Sequence, residues 1–104
     1  MTDRFARSDH GTHPCTDLEG YCGGTWRGII AQLDYIAGLH VDAIWISPVV
    51  DNVANGYHGY WARSLEAPNP HFGTEEDLAA LVDAAHSRGL LVMVDAVSVL
   101  VREK

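Results

Sequence analysis

The stretch Val41-Asp42-Ala43-Ile44-Trp45-Ile46-Ser47-Pro48 decides the fold. Its centre is continuously apolar and built of β-branched or aromatic residues, and Pro48 ends it. A strand apolar on both faces belongs in a parallel sheet covered by helices. Leu90-Leu91-Val92-Met93-Val94-Asp95-Ala96-Val97 has the same character, interrupted by Asp95. Segments of helical period precede each run. Thr25 reads as an N-cap, its hydroxyl able to accept from a first-turn N–H. Trp26, Ile29, Ile30, Leu33 and Ile36 then fall on one face, with Arg27, Gln32 and Asp34 opposite. Gly38 is the expected stop, in the left-handed conformation. Thr74-Glu75-Glu76-Asp77 opens a second helix with a capping box in which Asp stands for Glu. Leu78, Leu81, Val82 and Ala85 form its buried face, and Gly89 ends it. The order loop, α, β, long loop, α, β is a piece of a βαβ array with right-handed crossovers. Two strands do not close a sheet, and both edges are bare. The chain therefore reads as a slice of a larger α/β fold.

The bulk numbers agree with one small globular domain: 104 residues, 47% of them apolar. The formal charge of −7, from 14 acidic and 7 basic residues, is the wrong sign for a nucleic-acid binder. No apolar run reaches the roughly 18 residues of a membrane span. The start, Met1-Thr2-Asp3-Arg4-Phe5, shows no apolar signal-peptide core.

Residues 49–73 read as one long loop, and loops beyond about 12–15 residues in compact domains tend to be functional. It carries Tyr57-His58-Gly59-Tyr60-Trp61, three aromatic rings and an imidazole in close succession. Such a cluster suits a sugar ring, which offers C–H faces to stack on and hydroxyls to bond. Its bland reading is a loop pinned to its own scaffold. Asp95, near the end of a strand where parallel sheets bind ligands, is either an active-site carboxylate or a structural hydrogen-bonding group. Residues 1–24 read as irregular. Within them, Cys15 and Cys22 suit a disulfide or two free thiols, with a zinc site that adds His10 and His13 as a poorer fit.

Taken in order, Thr2-Asp3-Arg4-Phe5, Cys22-Gly23-Gly24-Thr25-Trp26-Arg27-Gly28-Ile29, Ala43-Ile44-Trp45-Ile46-Ser47-Pro48, Tyr57-His58-Gly59-Tyr60-Trp61, Phe72-Gly73-Thr74-Glu75-Glu76-Asp77-Leu78 and Val92-Met93-Val94-Asp95 resemble the N-terminal part of secreted fungal α-amylases. These belong to the α-amylase family of retaining glycoside hydrolases. The resemblance covers residues 2 to about 98 and implies a partial (β/α)8 TIM barrel. Residues 2–5 match the end of the first barrel strand, 25–38 the first helix, 42–47 the second strand, 74–88 the second helix and 90–96 the third strand. Residues 1–104 would then be an N-terminal fragment of the catalytic barrel domain.

The resemblance also implies a chemistry: endo-acting hydrolysis of α-1,4-glucosidic bonds in starch or glycogen. An Asp nucleophile and a Glu acid/base would work about 5 Å apart. In the family both lie on later strands, which would fall beyond Lys104. No position here matches either, so the chain is expected to be inactive alone. The alternative is a non-catalytic carbohydrate-binding or interaction fragment. By resemblance Tyr60 stacks under the glucose at the cleavage point, His58 bonds its primary hydroxyl, and Trp61 is a neighbouring wall residue. Asp95 supports the active-site hydrogen bonds, and Cys15 pairs with Cys22. The α-glucan is the implied partner.

Departures from the family pattern follow Asp95. Val99 and Leu100 stand where the family has a calcium-ligating Asn and a glucose-binding His. A hydrocarbon side chain cannot ligate a hard cation, so the family's calcium is not expected on this chain. Ser64 stands where an Asp is usual. The final run, Val101-Arg102-Glu103-Lys104, matches nothing in the family pattern. A truncated or mis-spliced reading frame would account for Val99, Leu100 and these last residues. Extracellular location follows from the resemblance, whereas the chain as written, lacking a signal peptide, is expected to stay in the cytoplasm.

Overall fold

The structure is a computed structural model that describes residues 1–96. Six short elements follow in order: α1 (Thr2–Phe5), α2 (Trp26–Ala31), α3 (Leu33–Ala37), β1 (Ala43–Ile46), α4 (Glu75–His86) and β2 (Leu91–Val94). The two strands pair in parallel, with Ala43 opposite Leu91 and Ile46 opposite Val94. The pairing is extended by Leu91 N–H donating to the Asp42 carbonyl and Asp95 N–H to that of Ile46, both at 3.0 Å. This is the expected parallel α/β arrangement.

Local chemistry sets the helix starts as the sequence predicts. The Thr25 hydroxyl accepts from Gly28 N–H at 2.9 Å. At α4 the capping box is complete: Thr74 Oγ1 accepts from Asp77 N–H at 3.1 Å, and Asp77 accepts from Thr74 N–H at 2.9 Å. That Thr74 hydrogen bond, then the Arg27 ion pair, holds the Asp77 carboxyl below its ordinary range. A lowered carboxyl adds stability above its unfolded pKa and loses it as pH falls through the folded value. Thr74→Ala should lower urea stability by about 1 kcal/mol at neutral pH. Alanine keeps the backbone N–H on the Asp77 carboxylate, so the variant should still lose stability in acid as the parent does, and an unchanged midpoint at neutral pH would count against the cap.

The structure corrects three local expectations. Residues 2–5 form a helical turn, not the end of a strand. Arg4 N–H bonds back to the Met1 carbonyl at 3.2 Å, and Thr2 N–H goes to Ser47 Oγ at 3.1 Å rather than into a ladder with β1. The single helix expected over 25–38 is two pieces, interrupted at Gln32, whose φ of −106° and ψ of 8° leave the helical region. Gly38 is right-handed, with φ of −66°. The chain keeps turning through Leu39 N–H to Ile36 and His40 N–H to Ala37, so the left-handed residue is His40 at φ 61°.

The core is Trp26, Ile29, Leu33, Ile46, Phe72, Leu81, Ala85 and Leu90, with Ile44 and Val92 packed against it. These residues lie between the helices and one face of the β1–β2 pair. The other face is open: Trp45 is 69% exposed, Leu91 65% and Met93 54%. The strands are apolar on both sides as read, and only one side is covered.

Residues 47–74 contain no helix or strand, as the sequence predicts. Isolated bridges between Val50 and Pro68 and between Asn52 and Ala62 hold this loop, helped by an ion pair from Arg63 to Asp51 at 2.6 Å. Cys15 and Cys22 are joined in a disulfide with Cα atoms 5.5 Å apart, which closes the free-thiol and zinc alternatives. Replacing both with serine should cost about 2 kcal/mol, the loop-closure entropy of a short ring. Thermal melts with and without the pair read this directly, and equal melting would show the bond to be idle.

Candidate functional site

Asn52 shapes the aromatic stretch from beneath. It is 5% exposed. Its Oδ1 accepts from Trp61 N–H at 2.7 Å, and its Nδ2 donates to the Val50 carbonyl at 2.9 Å. Gly59 turns the chain with φ of 90°, and a β-carbon there would lie 2.8–3.1 Å from the Pro48 ring. A side chain at that point would meet both strain and contact, so glycine is required.

The turn throws His58, Tyr60 and Trp61 outward together. Tyr60 is 48% exposed and Trp61 54%. The His58 ring lies 5.8 Å from the Tyr60 ring at an interplanar angle of 20°. It meets the Trp61 ring edge-on at 4.5 Å. His58 Nδ1 accepts from Tyr60 N–H at 3.0 Å. In neutral imidazole that leaves the proton on Nε2, which becomes a donor.

The loop reaches the end of β2 through a hydrogen bond from the Tyr60 hydroxyl to Asp95 Oδ2. Asp95 follows β2 and is itself tied to β1 through its N–H. This hydrogen bond, then desolvation, then the carboxylate's charge, raises the Tyr60 phenol above its ordinary value. Tyr60 therefore stays a protonated donor at neutral pH. Met1, Trp45, Ile46, Ser47, His58, Tyr60 and Asp95 line a shallow depression at the C-terminal ends of both strands. That is where parallel α/β folds carry ligands.

The structure thus gathers His58, Tyr60 and Asp95 in one depression. Trp61 touches it through His58, without lining it. Cys15 and Cys22 line a separate hollow with Asp3 and Arg4. Ser64 closes a turn, its Oγ accepting from Glu66 and Ala67 N–H at 3.2 Å. Val99, Leu100 and Lys104, the residue beyond which the family's catalytic carboxylates are expected, lie outside the described residues. Sequence reasoning assigns no role to Asp3, Arg4, Tyr21 or Asn52, all of which brace the aromatic loop or its neighbour. The first two stand in a quoted motif, but only the fold reveals what they touch.

The resemblance implies calcium in the family. Among the described residues no group of three or more His, Cys, Asp and Glu side chains is placed to hold a metal ion. The position matched to the ligating Asn is the hydrocarbon Val99. The residues at hand do not fit a calcium site. Among the described residues no helix is long and apolar enough to cross a membrane.

Comparison with known proteins agrees with this geometry. The family model "Alpha amylase, catalytic domain" matches residues 1–99. Alpha-amylase mde5 of Schizosaccharomyces pombe is 52% identical over 105 residues, covering 93% of this chain and 20% of that protein. An alpha-amylase from Malbranchea cinnamomea superposes with a TM-score of 0.87 at 52% identity, over 92% of this chain and 22% of that one. The alpha-amylase of Geobacillus thermoleovorans, solved with acarbose, gives 0.83 at 42% identity, over 91% and 21%. The chain spans about a fifth of the length of the relatives it matches. Homologous α-amylase catalytic domains are TIM barrels, and the parallel β1–β2 pair with α2 and α4 on one face is such a βα arrangement. With the match running from residue 1 to residue 99, this chain belongs to the alpha-amylase family of glycoside hydrolases.

Proposed function

We propose that this chain is the part of an α-amylase catalytic barrel that carries barrel strands 2 and 3 with the helices before them, and that it supplies one wall of a cleft for α-1,4-glucans. Tyr60 offers its exposed face to a glucose ring, His58 Nε2–H bonds a sugar hydroxyl, and Trp61 extends the apolar wall. Asp95 orients Tyr60. The observation that carries this reading is the Tyr60–Asp95 hydrogen bond, which fixes an exposed aromatic face at the C-terminal end of the sheet beside an imidazole donor. The disulfide suits a secreted enzyme.

Hydrolysis needs a nucleophilic carboxylate and an acid/base partner, and no position of this chain matches the family's pair. The chain alone is therefore a binding wall without turnover. Titration with maltoheptaose, followed by tryptophan fluorescence, should saturate. Tyr60→Ala should weaken it at least about 30-fold, the scale of an aromatic hot spot. Reducing-sugar release from soluble starch should stay at background. No saturation, or full affinity in the variant, would overturn the binding wall. Starch hydrolysis by the pure chain would overturn the absence of turnover.

A further inference from the structure

Tyr57 does not line the depression of the proposed glucan wall, and the guanidinium of Arg4 lies over its ring, 4.0 Å from the centroid. The edges of that guanidinium are held in turn. Its Nε donates to Asp3 Oδ2 at 2.8 Å, and one terminal nitrogen donates to the carbonyls of Leu18 and Gly20 at 2.9 and 3.0 Å. Asp3 is 1% exposed and also accepts from Cys22 N–H at 2.9 Å and Gly23 N–H at 3.3 Å. The cation is therefore held flat by the disulfide-closed loop on one side and a buried carboxylate on the other.

From Tyr57 the contacts run on to the sugar wall. Its ring meets that of His58 at 5.1 Å and 63°, and His58 braces both Tyr60 and Trp61. A second tie is parallel: the Tyr21 hydroxyl, also from the N-terminal loop, donates to the Gly56 carbonyl at 3.2 Å, one residue before Tyr57. A planar guanidinium can satisfy an in-plane carboxylate and two carbonyls while presenting its face to a ring; an ammonium cannot.

We propose that Arg4 is a positioning residue for the glucan wall: acting through Tyr57, it sets the orientation of His58 and Trp61. The inference rests on the glucan-wall reading for its consequence, and on the contacts above for its mechanism.

The test uses the full chain carrying Trp45→Phe, so that Trp61 is the exposed indole and Trp26 stays buried. Arg4→Lys, Tyr57→Ala and the double variant are compared by iodide quenching of Trp61 and by maltoheptaose affinity. Lysine keeps the charge beside Asp3 and loses the planar face. Each single variant should change Trp61 quenching by roughly twofold and weaken maltoheptaose binding by roughly fivefold, and the double variant should do no more than either alone, because contacting residues couple. A purely structural role for Arg4 would give effects that add to those of Tyr57→Ala, and additive effects overturn the proposal. So does an Arg4→Lys chain that matches the parent in quenching. If the chain with Trp45 intact binds no maltoheptaose, the glucan reading fails, and the quenching series alone still decides for or against Arg4.

Discussion

Gly28→Ala is expected to be among the most damaging single changes in this chain. A β-carbon at position 28 would lie 2.0 Å from the Ala6 carbonyl oxygen and 2.6 Å from its carbon. Those are backbone atoms, so no rotamer change relieves the contact. The segment cannot simply back away, because Ala6 O accepts from Thr25 N–H at 3.0 Å and Asp3 O from Gly24 N–H at 2.9 Å. Alanine would gain about 0.5–1 kcal/mol of helix preference over glycine, and the overlap outweighs it. The net loss should be about 3 kcal/mol or more, a large share of what a domain this size possesses. Urea unfolding followed by circular dichroism reads the loss. Gly38→Ala is the control: its nearest contact would be the Tyr35 carbonyl oxygen at 3.3 Å in exposed surroundings, and its midpoint should barely move. Equal midpoints for both variants would show that the N-terminal segment does not rest on α2 as described.

The second large effect falls on Trp26. It is fully buried, its ring is 6.0 Å from that of Phe72, and its backbone N–H donates to the Phe72 carbonyl at 2.9 Å. One residue thus fixes the start of α2 against the end of the long loop. Trp26→Ala should cost about 3–5 kcal/mol, the cavity and transfer cost of a large aromatic. Trp26→Phe should cost clearly less, because the indole Nε1 is buried without a hydrogen-bond partner among the described residues and removing it relieves an unmet donor. Loss of stability in both variants alike would argue that the indole ring's outer edge, rather than its bulk, matters. The melting midpoint of each variant, with the heat of unfolding, separates the two.

The chain order and the two strands are legible in the sequence because their signals are local. β-branched apolar runs, the Thr25 cap and the Thr74–Asp77 capping box depend on neighbours a few residues away. The disulfide is legible as one of several options, and needs the fold to be chosen. The helix break at Gln32 and the displaced stop at His40 are not legible, since a periodic apolar face does not register a change in backbone angle. Thr2–Phe5 reads as irregular by its residues and as a strand end only by resemblance; its donors go to Ser47 and Met1, and such partners cannot be seen in a motif.

The same division holds at the candidate site. The residue types of Tyr57–Trp61 by themselves determined that an aromatic and imidazole cluster sits on the loop after β1, suited to a sugar ring or to pinning the loop, and the exposure of Tyr60 and Trp61 came only with the fold. Only the tertiary structure decided that Tyr60 reaches across to Asp95, 35 residues away, and that Arg4 lies over Tyr57 from the far end of the chain. Hydrogen bonds and cation–ring contacts act over a few ångströms in space, and that proximity is created by parallel pairing of β1 and β2 and by the disulfide-closed loop folding back on the platform.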